Sequence, residues 1–454
     1  MTNNTLTYRY AAPSAFGAAE GLFLSKFNEA RTAPAPCFFW GRLVDPYPLA
    51  RCLITLSRTV QSSFNLNPFQ LALLKDPIVT AGDGQIRFEG FSDCAGVYAR
   101  VDLREEGQDG EFLESGTTNV DFNSPLVTEL ARLTPKDDLV LSVGAKEVGF
   151  HKGGESFIER KVPLPTKWIK GLTTVQQYFA DSEPVFSISR VQALQLFRAI
   201  PAGKVKTDYY LNKRGTRFAF SPAKSANGVC IGGIHRLKLL QPLLPLLNSI
   251  DVYAHERGLA STFVLRFDRL DFVFSLSRNA ARGFSGEGAA LEQLLDDLPA
   301  DLIDAFDQYA HTNQTFQPVA VAAEHGLALD RAEGLAAQLA AMGLLGYDLS
   351  RRQYFHRRLP FKLSRILSLN PRLKGAEKLL AENKVTLLRR DTDTVEATVK
   401  GTGTADHYVR LDPAGARCTC LWYSRHQGER GVCKHILATR KLVRNGGGVE
   451  ELRG

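Results

Sequence analysis

The sequence predicts a multidomain α+β protein with a small metal-binding module near its C-terminal end. Three observations lead there. A chain of 454 residues exceeds one hydrophobic core of ordinary size, since single domains run to roughly 100–200 residues. Strand-like alternation and helix-like periodicity interleave along it instead of forming separate blocks. Three of the seven cysteines lie close together at Cys418, Cys420 and Cys433, with His435 two places further on.

The first unit, residues 1–175, reads as mixed helix and strand. A helix over 48–64 follows the turn-like Asp45-Pro46-Tyr47-Pro48, and strands are expected at 85–88, 96–103 and 139–151. The last two alternate apolar and polar residues, the pattern of a sheet with one face in water. The glutamate-rich 105–114, with two glycines, reads as a solvated loop, and a helix is expected to begin near Thr166. A second α+β unit, 176–298, offers strands at 217–220 and 229–231, the leucine-rich 237–247, and a hairpin of 262–266 with 272–276.

Residues 299–361 form the third unit. Helices are expected over 300–311 and 319–325, the latter stopped by Gly326, a natural helix C-terminus. A third begins at Asp330, which with Glu333 makes a capping-box pattern, and runs to Met342. Residues 345–347 and 353–358, joined by a turn, complete three helices and a two-stranded wing, a winged-helix-like segment. A basic helical connector, 362–394, leads to the metal module, 395–454, read as strand, hairpin and helix.

Composition excludes several classes. At 44 % hydrophobic and 23 % charged residues, the chain is a soluble globular protein and not a disordered or fibrous one. No apolar run reaches the ~18–20 residues of a membrane-spanning helix; the best, 237–247, is broken by Pro242 and Pro245. The first residues show no secretory signal, so a cytoplasmic location without membrane contact is expected. Scattered Cys37, Cys52, Cys94 and Cys230 read as small core residues, not as a disulfide framework.

Charge is uneven. Residues 351–454 hold 22 Lys+Arg against 10 Asp+Glu, whereas 301–350 hold one basic residue against seven acidic ones. A basic C-terminal quarter suits an anionic partner, DNA or RNA or an acidic protein surface. The candidate phosphate contacts are Arg351, Arg352, Arg357 and Arg358 on the wing, and Arg410, Arg417, Arg425 and Lys434 around the cysteines. Base reading is not expected, because the third helix offers only Arg331 and Gln338.

The cysteine cluster reads Cys418-Thr-Cys420, twelve residues, then Cys433-Lys-His435. In an extended strand, residues two apart point to one side, so Cys418 and Cys420 can grip one ion together. Cys433 and His435 would open a helix of 433–443, where the dipole favours a thiolate. Three thiolates and an imidazole suit a closed tetrahedral zinc site, structural and not hydrolytic, with Trp422, Ile436 and Leu437 as an apolar cap. His407 and His426 lie nearby and read as loop or surface histidines.

This C-x-C, gap, C-x-H pattern followed by Ile436-Leu437-Ala438 resembles the SWIM-type zinc finger over about 395–443. The segments Arg87-Phe88-Glu89-Gly90-Phe91-Ser92-Asp93-Cys94, Gly96-Val97-Tyr98-Ala99-Arg100 and Gly116-Thr117-Thr118-Asn119-Val120-Asp121-Phe122 are similar to those of bacterial SWIM proteins encoded beside MoxR-type AAA ATPases and von Willebrand factor A proteins. The resemblance implies a zinc-binding adaptor touching nucleic acid or a protein partner, or a scaffold docked on such an ATPase. No phosphate loop, H-E-x-x-H or G-x-S-x-G is present, so no enzyme is expected. Asp93-Cys94 beside Tyr98 and Arg100 lacks a partner base, and Glu89, Asp93, Asn119 and Asp121 fit a polar pocket and turn-and-loop duty equally well.

Overall fold

In the computed structural model, the described backbone covers residues 8–10, 15–17, 21–23, 27–29, 37–62, 77–164, 166–205, 207–279, 283–285, 300–359, 361, 371–401, 405–427 and 431–444. The last residues of the expected 48–64 helix, the first of the 362–394 connector, Gly428 and the Gly446-Gly447-Gly448 run lie outside them. The fold is mixed α and β, built on antiparallel sheets. No helix among the described residues is long and apolar enough to cross a membrane.

The largest sheet has eight strands in the order Gly116–Asn119, Ile78–Gly82, Gln85–Phe91, Val97–Leu103, Leu270–Ser277, Ala260–Arg266, Ser249–His255 and Ser182–Ser189. Val97–Leu103 pairs along its length with Leu270–Ser277, from Val97 opposite Leu276 to Leu103 opposite Leu270. One sheet therefore crosses the division expected near 175. Local sequence pattern carries no information on such a pairing, because its two partners lie far apart along the chain.

Alternation in Val97–Leu103 places Val97, Ala99, Val101 and Leu103 on one face and Tyr98, Arg100 and Asp102 on the other. Helix Pro46–Gln61 lies against this strand and its neighbour Gln85–Phe91 through a buried stripe that includes Leu49, Leu53, Leu56 and Val60. The polar face is not solvated. Helix Thr166–Ala180 and the hairpin of Leu345–Asp348 with Gln353–His356 cover it, and every residue of Gln85–Phe91 and Val97–Leu103 is buried.

What makes this burial tolerable is pairing. Arg100 donates to Asp102 at 2.9 and 3.0 Å and to the Tyr347 carbonyl at 2.9 Å. Arg87 donates to Gln85 at 2.9 Å and lies 3.9 Å from the centre of the Phe355 ring, with Arg100 at 5.5 Å. Glu89 accepts from the Tyr98 hydroxyl at 2.6 Å and forms an ion pair with Arg357. Burial, then the Glu89 carboxylate, holds the Tyr98 phenol far above its usual range.

A second sheet orders Glu155–Arg160, Glu147–Lys152, Val140–Gly144, Cys37–Leu43 and Gln108–Phe112. The expected loop at 105–114 is thus a 3-10 turn, Glu105–Gly107, followed by an edge strand. Its middle residues, 109–111, are solvated, so backbone pairing, with Gly110 opposite Gly41, and the Phe112 ring 4.9 Å from Phe39 hold it. A Cβ at Gly41 would sit 2.4 Å from the Gly110 Cα and 2.7 Å from the Phe39 ring. Gly41→Val is expected to cost about 1–3 kcal/mol as an overpacking change. Faster hydrogen exchange confined to 108–112 would show the edge strand detaching, and an unchanged exchange pattern would count against the close fit.

The third unit contains helices Ala300–Asn313, Pro318–His325 and Leu329–Ala341, and a sheet ordered Thr315–Phe316, Gln353–His356, Leu345–Asp348. Gly326 ends the second helix in the left-handed conformation, φ 62°, as its position suggests. The third helix starts one residue earlier than expected, with Ala328 at the cap and no side-chain cap bond. Asp330 therefore sits in the first turn, where its charge meets the helix dipole.

Candidate metal centre

Residues 371–444 assemble around a four-stranded antiparallel meander, Val385–Arg390, Val395–Lys400, Asp406–Asp412 and Gly415–Cys418. Val385–Arg390 pairs with Val395–Lys400, so the boundary expected at 395 falls inside a hairpin. Helices Pro371–Ala381 and Lys434–Arg444 pack against each other, with the Lys434 stem 3.0 Å from where a Cβ on Gly375 would stand. Leu373, Ala376, Leu379, Leu387, Ala397, Val399, Val409, Ile436, Leu437 and Ala438 form the buried interior.

Each candidate ligand is placed by a different local rule. Cys418 ends the last strand of the meander. Cys420 is the N-cap of helix Leu421–His426, its sulfur accepting the Tyr423 amide at 3.4 Å. Cys433 immediately precedes Lys434–Arg444, and its carbonyl accepts the Leu437 amide at 3.1 Å. His435 follows in the first turn, held from behind by the Thr439 hydroxyl on its carbonyl at 3.0 Å.

The four side chains converge. Their ligand atoms all lie within 4.8 Å of one another, and all four residues are buried. Tetrahedral zinc–sulfur bonds of about 2.3 Å put neighbouring sulfurs about 3.8 Å apart, so only small shifts are needed to close on one ion. Cys418 Sγ stands 3.7 Å from His435 Nδ1, and His435 Nε2 is buried with no hydrogen-bond partner among the described residues. The donor set and that orphaned nitrogen both fit a metal site.

Electrostatics agree with the helix-terminus expectation. The Cys433 thiol is pulled down to about 4, chiefly by the hydrogen bond from the Cys418 thiol, with His435 and the Ile436 amide acting in the same direction. Cys418, the donor of that bond, is held well above its ordinary value. Of these two sulfurs, the one at the helix N-terminus is the one whose anion is favoured.

The flanking residues divide. Ile436 and Leu437 are buried, whereas Trp422 is half-buried and carries the Arg372 guanidinium 5.1 Å from its ring centre. Arg372 also donates to the Val432 carbonyl at 2.9 Å, tying the first helix to the loop before Cys433. His407 stacks 4.4 Å from His435, and His426 packs 4.5 Å from Trp422; neither belongs to the converging four.

The eight basic candidates separate more sharply. Arg357 is a correction: its side chain is fully buried on Glu89, out of reach of any phosphate. Arg352 makes two bonds to Glu183 at 2.7 and 2.8 Å, Arg358 pairs with Asp307 at 2.6 Å, and Arg351 lies 3.9 Å from Asp83. On the metal module, Arg410 pairs with Asp412 at 2.9 Å, Lys434 is half-buried, and Arg417 and Arg425 are exposed. Arg410 and Arg417 stand directly opposite each other across two strands.

The polar residues around Cys94 and Glu89 divide among separate neighbours. Cys94 contacts the Ser92 hydroxyl at 3.4 Å, and Asp93 is buried where its amide reaches the Ser62 carbonyl at 3.2 Å. Glu89 belongs to the buried arginine network and Asn119 donates to the Val162 carbonyl. What sequence reasoning misses is the place of Arg372 over Trp422; a basic residue thirteen places before a strand gives no signal of lying there.

No family model matches the chain, and no curated protein matches it. Among solved structures, proliferating cellular nuclear antigen from Entamoeba histolytica is similar at 12 % identity and a TM-score of 0.35, over 53 % of this chain and 98 % of that one. The PCNA2–PCNA3 complex from Sulfolobus tokodaii is similar at 8 % identity and a TM-score of 0.40, over 53 % of this chain and 99 % of that one.

Proposed function

We propose that this chain is a zinc-organised binding protein that contacts nucleic acid through phosphates, with residues 371–444 acting as a SWIM-type zinc finger and 300–356 as a winged-helix-like unit. The metal is structural: Cys418, Cys420, Cys433 and His435 fill four positions and leave none for water, so the role is binding and not hydrolysis.

The observation that carries this reading is Arg410 directly opposite Arg417 on the exposed face of the strand that ends in Cys418. Arg410 is offset by Asp412 at 2.9 Å and Glu396 at 3.7 Å, and Arg417 opposite it adds a further positive charge to which an anion can be drawn. Arg425, exposed on the short helix after Cys420, extends the same basic surface. The wing arginines Arg351, Arg352 and Arg358 face carboxylates on the chain itself, as Arg410 does, so Arg417 and Arg425 are the cations on which this reading rests most.

Binding of a labelled duplex and a labelled single strand, measured from ~50 mM salt upward, tests the reading. The log–log salt slope for the duplex is expected at about −0.9 per phosphate met, with little dependence on base sequence. Arg410→Ala with Arg417→Ala and Arg425→Ala should weaken binding to all duplexes alike and flatten the slope by about three such increments. No measurable binding of either probe at ~50 mM salt would remove nucleic acid from the reading and leave a protein partner.

A further inference from the structure

The third unit carries a feature of opposite charge. An open groove of about 630 Å³ runs between the end of helix Thr166–Ala180, the starts of helices Pro318–His325 and Leu329–Ala341, and the hairpin residues Tyr347 and Tyr354. That volume lies within the range of a specific binding pocket, roughly 300–1,000 Å³. Gly334, Ala337 and Ala340 leave room along one wall, and Tyr354 closes the floor at 5 % exposure.

Two properties of the lining define an occupant. Val319 and Leu329, on the rim, are 55 % and 45 % exposed, among the few large apolar side chains left in solvent. Between them the groove is acidic. Asp181 and Glu333 line it and both act on the Tyr354 phenol, while Arg352, the one cation lining the described groove, is already held by Glu183. The Gln177 side-chain oxygen is buried there with no hydrogen-bond partner among the described residues, an acceptor awaiting a donor.

We propose that this groove docks a basic peptide segment of a protein partner, with an arginine or lysine side chain reaching between Asp181 and Glu333 and its aliphatic neighbours covering Val319 and Leu329. Charge complementarity selects this occupant: Asp181 and Glu333 line the groove while its one lining cation, Arg352, is held by Glu183, which disfavours a nucleic acid and attracts a cationic peptide. The state of Asp181 agrees. Burial, with Glu256 adding to it, raises that carboxyl to about 6, and a bound guanidinium would hold it ionised.

Two labelled octapeptide pools, randomised except for a central Leu-Arg-Leu or Leu-Glu-Leu, test this on the full chain. The arginine pool is expected to bind ~10-fold tighter or better. Glu333→Lys, at an exposed helix position, should abolish that preference while leaving duplex binding undiminished, which separates this site from the basic surface. Gly334→Trp, at an exposed position where an added Cβ meets nothing within 4 Å, directs its indole into the groove and should block the arginine pool. Equal binding of the two pools, or arginine-pool binding unchanged in both variants, overturns the proposal.

Discussion

Replacing Arg357 with alanine is expected to destabilise the protein by about 3–5 kcal/mol, as removal of one partner from a buried ion pair does. The side chain is fully enclosed, pairs with Glu89, and also donates to the carbonyls of Leu345 and Leu172 at 3.3 Å each. Its loss leaves Glu89 charged and buried with only the Tyr98 hydroxyl to satisfy it. It also releases a tie between the hairpin at 345–356 and both the large sheet and helix Thr166–Ala180. Urea unfolding monitored by tryptophan fluorescence reports the change, since Trp168 lies in the same core. Glu89→Leu combined with Arg357→Met removes both charges and should be markedly less destabilised than either single change. A loss below about 1 kcal/mol for Arg357→Ala would show that the pair does not fasten the hairpin to the sheet.

The same arginine shows where sequence reading stops. Alternation in 96–103 identifies a strand, and the strand is there. It also predicts that Arg100 and Asp102 face water, because period-two polarity is the signature of one wet face. Here helix Thr166–Ala180 and a hairpin from far along the chain cover that face: Arg100 reaches Tyr347 across a separation of 247 residues. Charge composition counts Arg357 with its neighbours Arg351, Arg352 and Arg358, and nothing local distinguishes the buried one. The edge strand at 108–112 is hidden for a related reason, since it is held by backbone pairing with 37–43 and by the single Phe112 ring on Phe39, too little for an apolar pattern of its own.

The metal cluster was legible because its information is local. Residue type and spacing alone place Cys418 and Cys420 at a strand end and Cys433 with His435 at a helix start, and the structure brings those four together. The extent of the surrounding unit was less legible. Helix Pro371–Ala381 reads as a basic connector because its exposed face is basic, yet Leu373, Ala376 and Leu379 form a buried stripe at helical spacing. Three small or branched residues in eleven give a weak periodic signal, and only the approach of Lys434 to Gly375 reveals which surface they cover.

Cys433→Ser is expected to have the largest effect on that unit. The purified protein should carry one tightly held metal ion per chain by elemental analysis, zinc on the chemistry of its donors, and the variant none. Cys433 is the cluster's thiol most favoured as an anion and immediately precedes helix Lys434–Arg444. Without an ion, three sulfurs and an imidazole are left converging in a buried space, and the chain from Cys418 to His435 loses its common anchor. Structural zinc contributes on the order of 10 kcal/mol to such small folds, more than the interior between one four-stranded sheet and two short helices supplies alone. Hydrogen exchange should therefore show loss of protection from about residue 371 to 444, because Pro371–Ala381 rests on the helix that the metal positions. The sheet of 78–277 should keep its protection, having its own extensive apolar core. Cys37→Ser, a thiol remote from the cluster, should leave metal content unchanged. Retained protection over 385–418 in metal-free Cys433→Ser would mean that the meander stands without the ion, and metal-free wild-type protein would remove the zinc assignment itself.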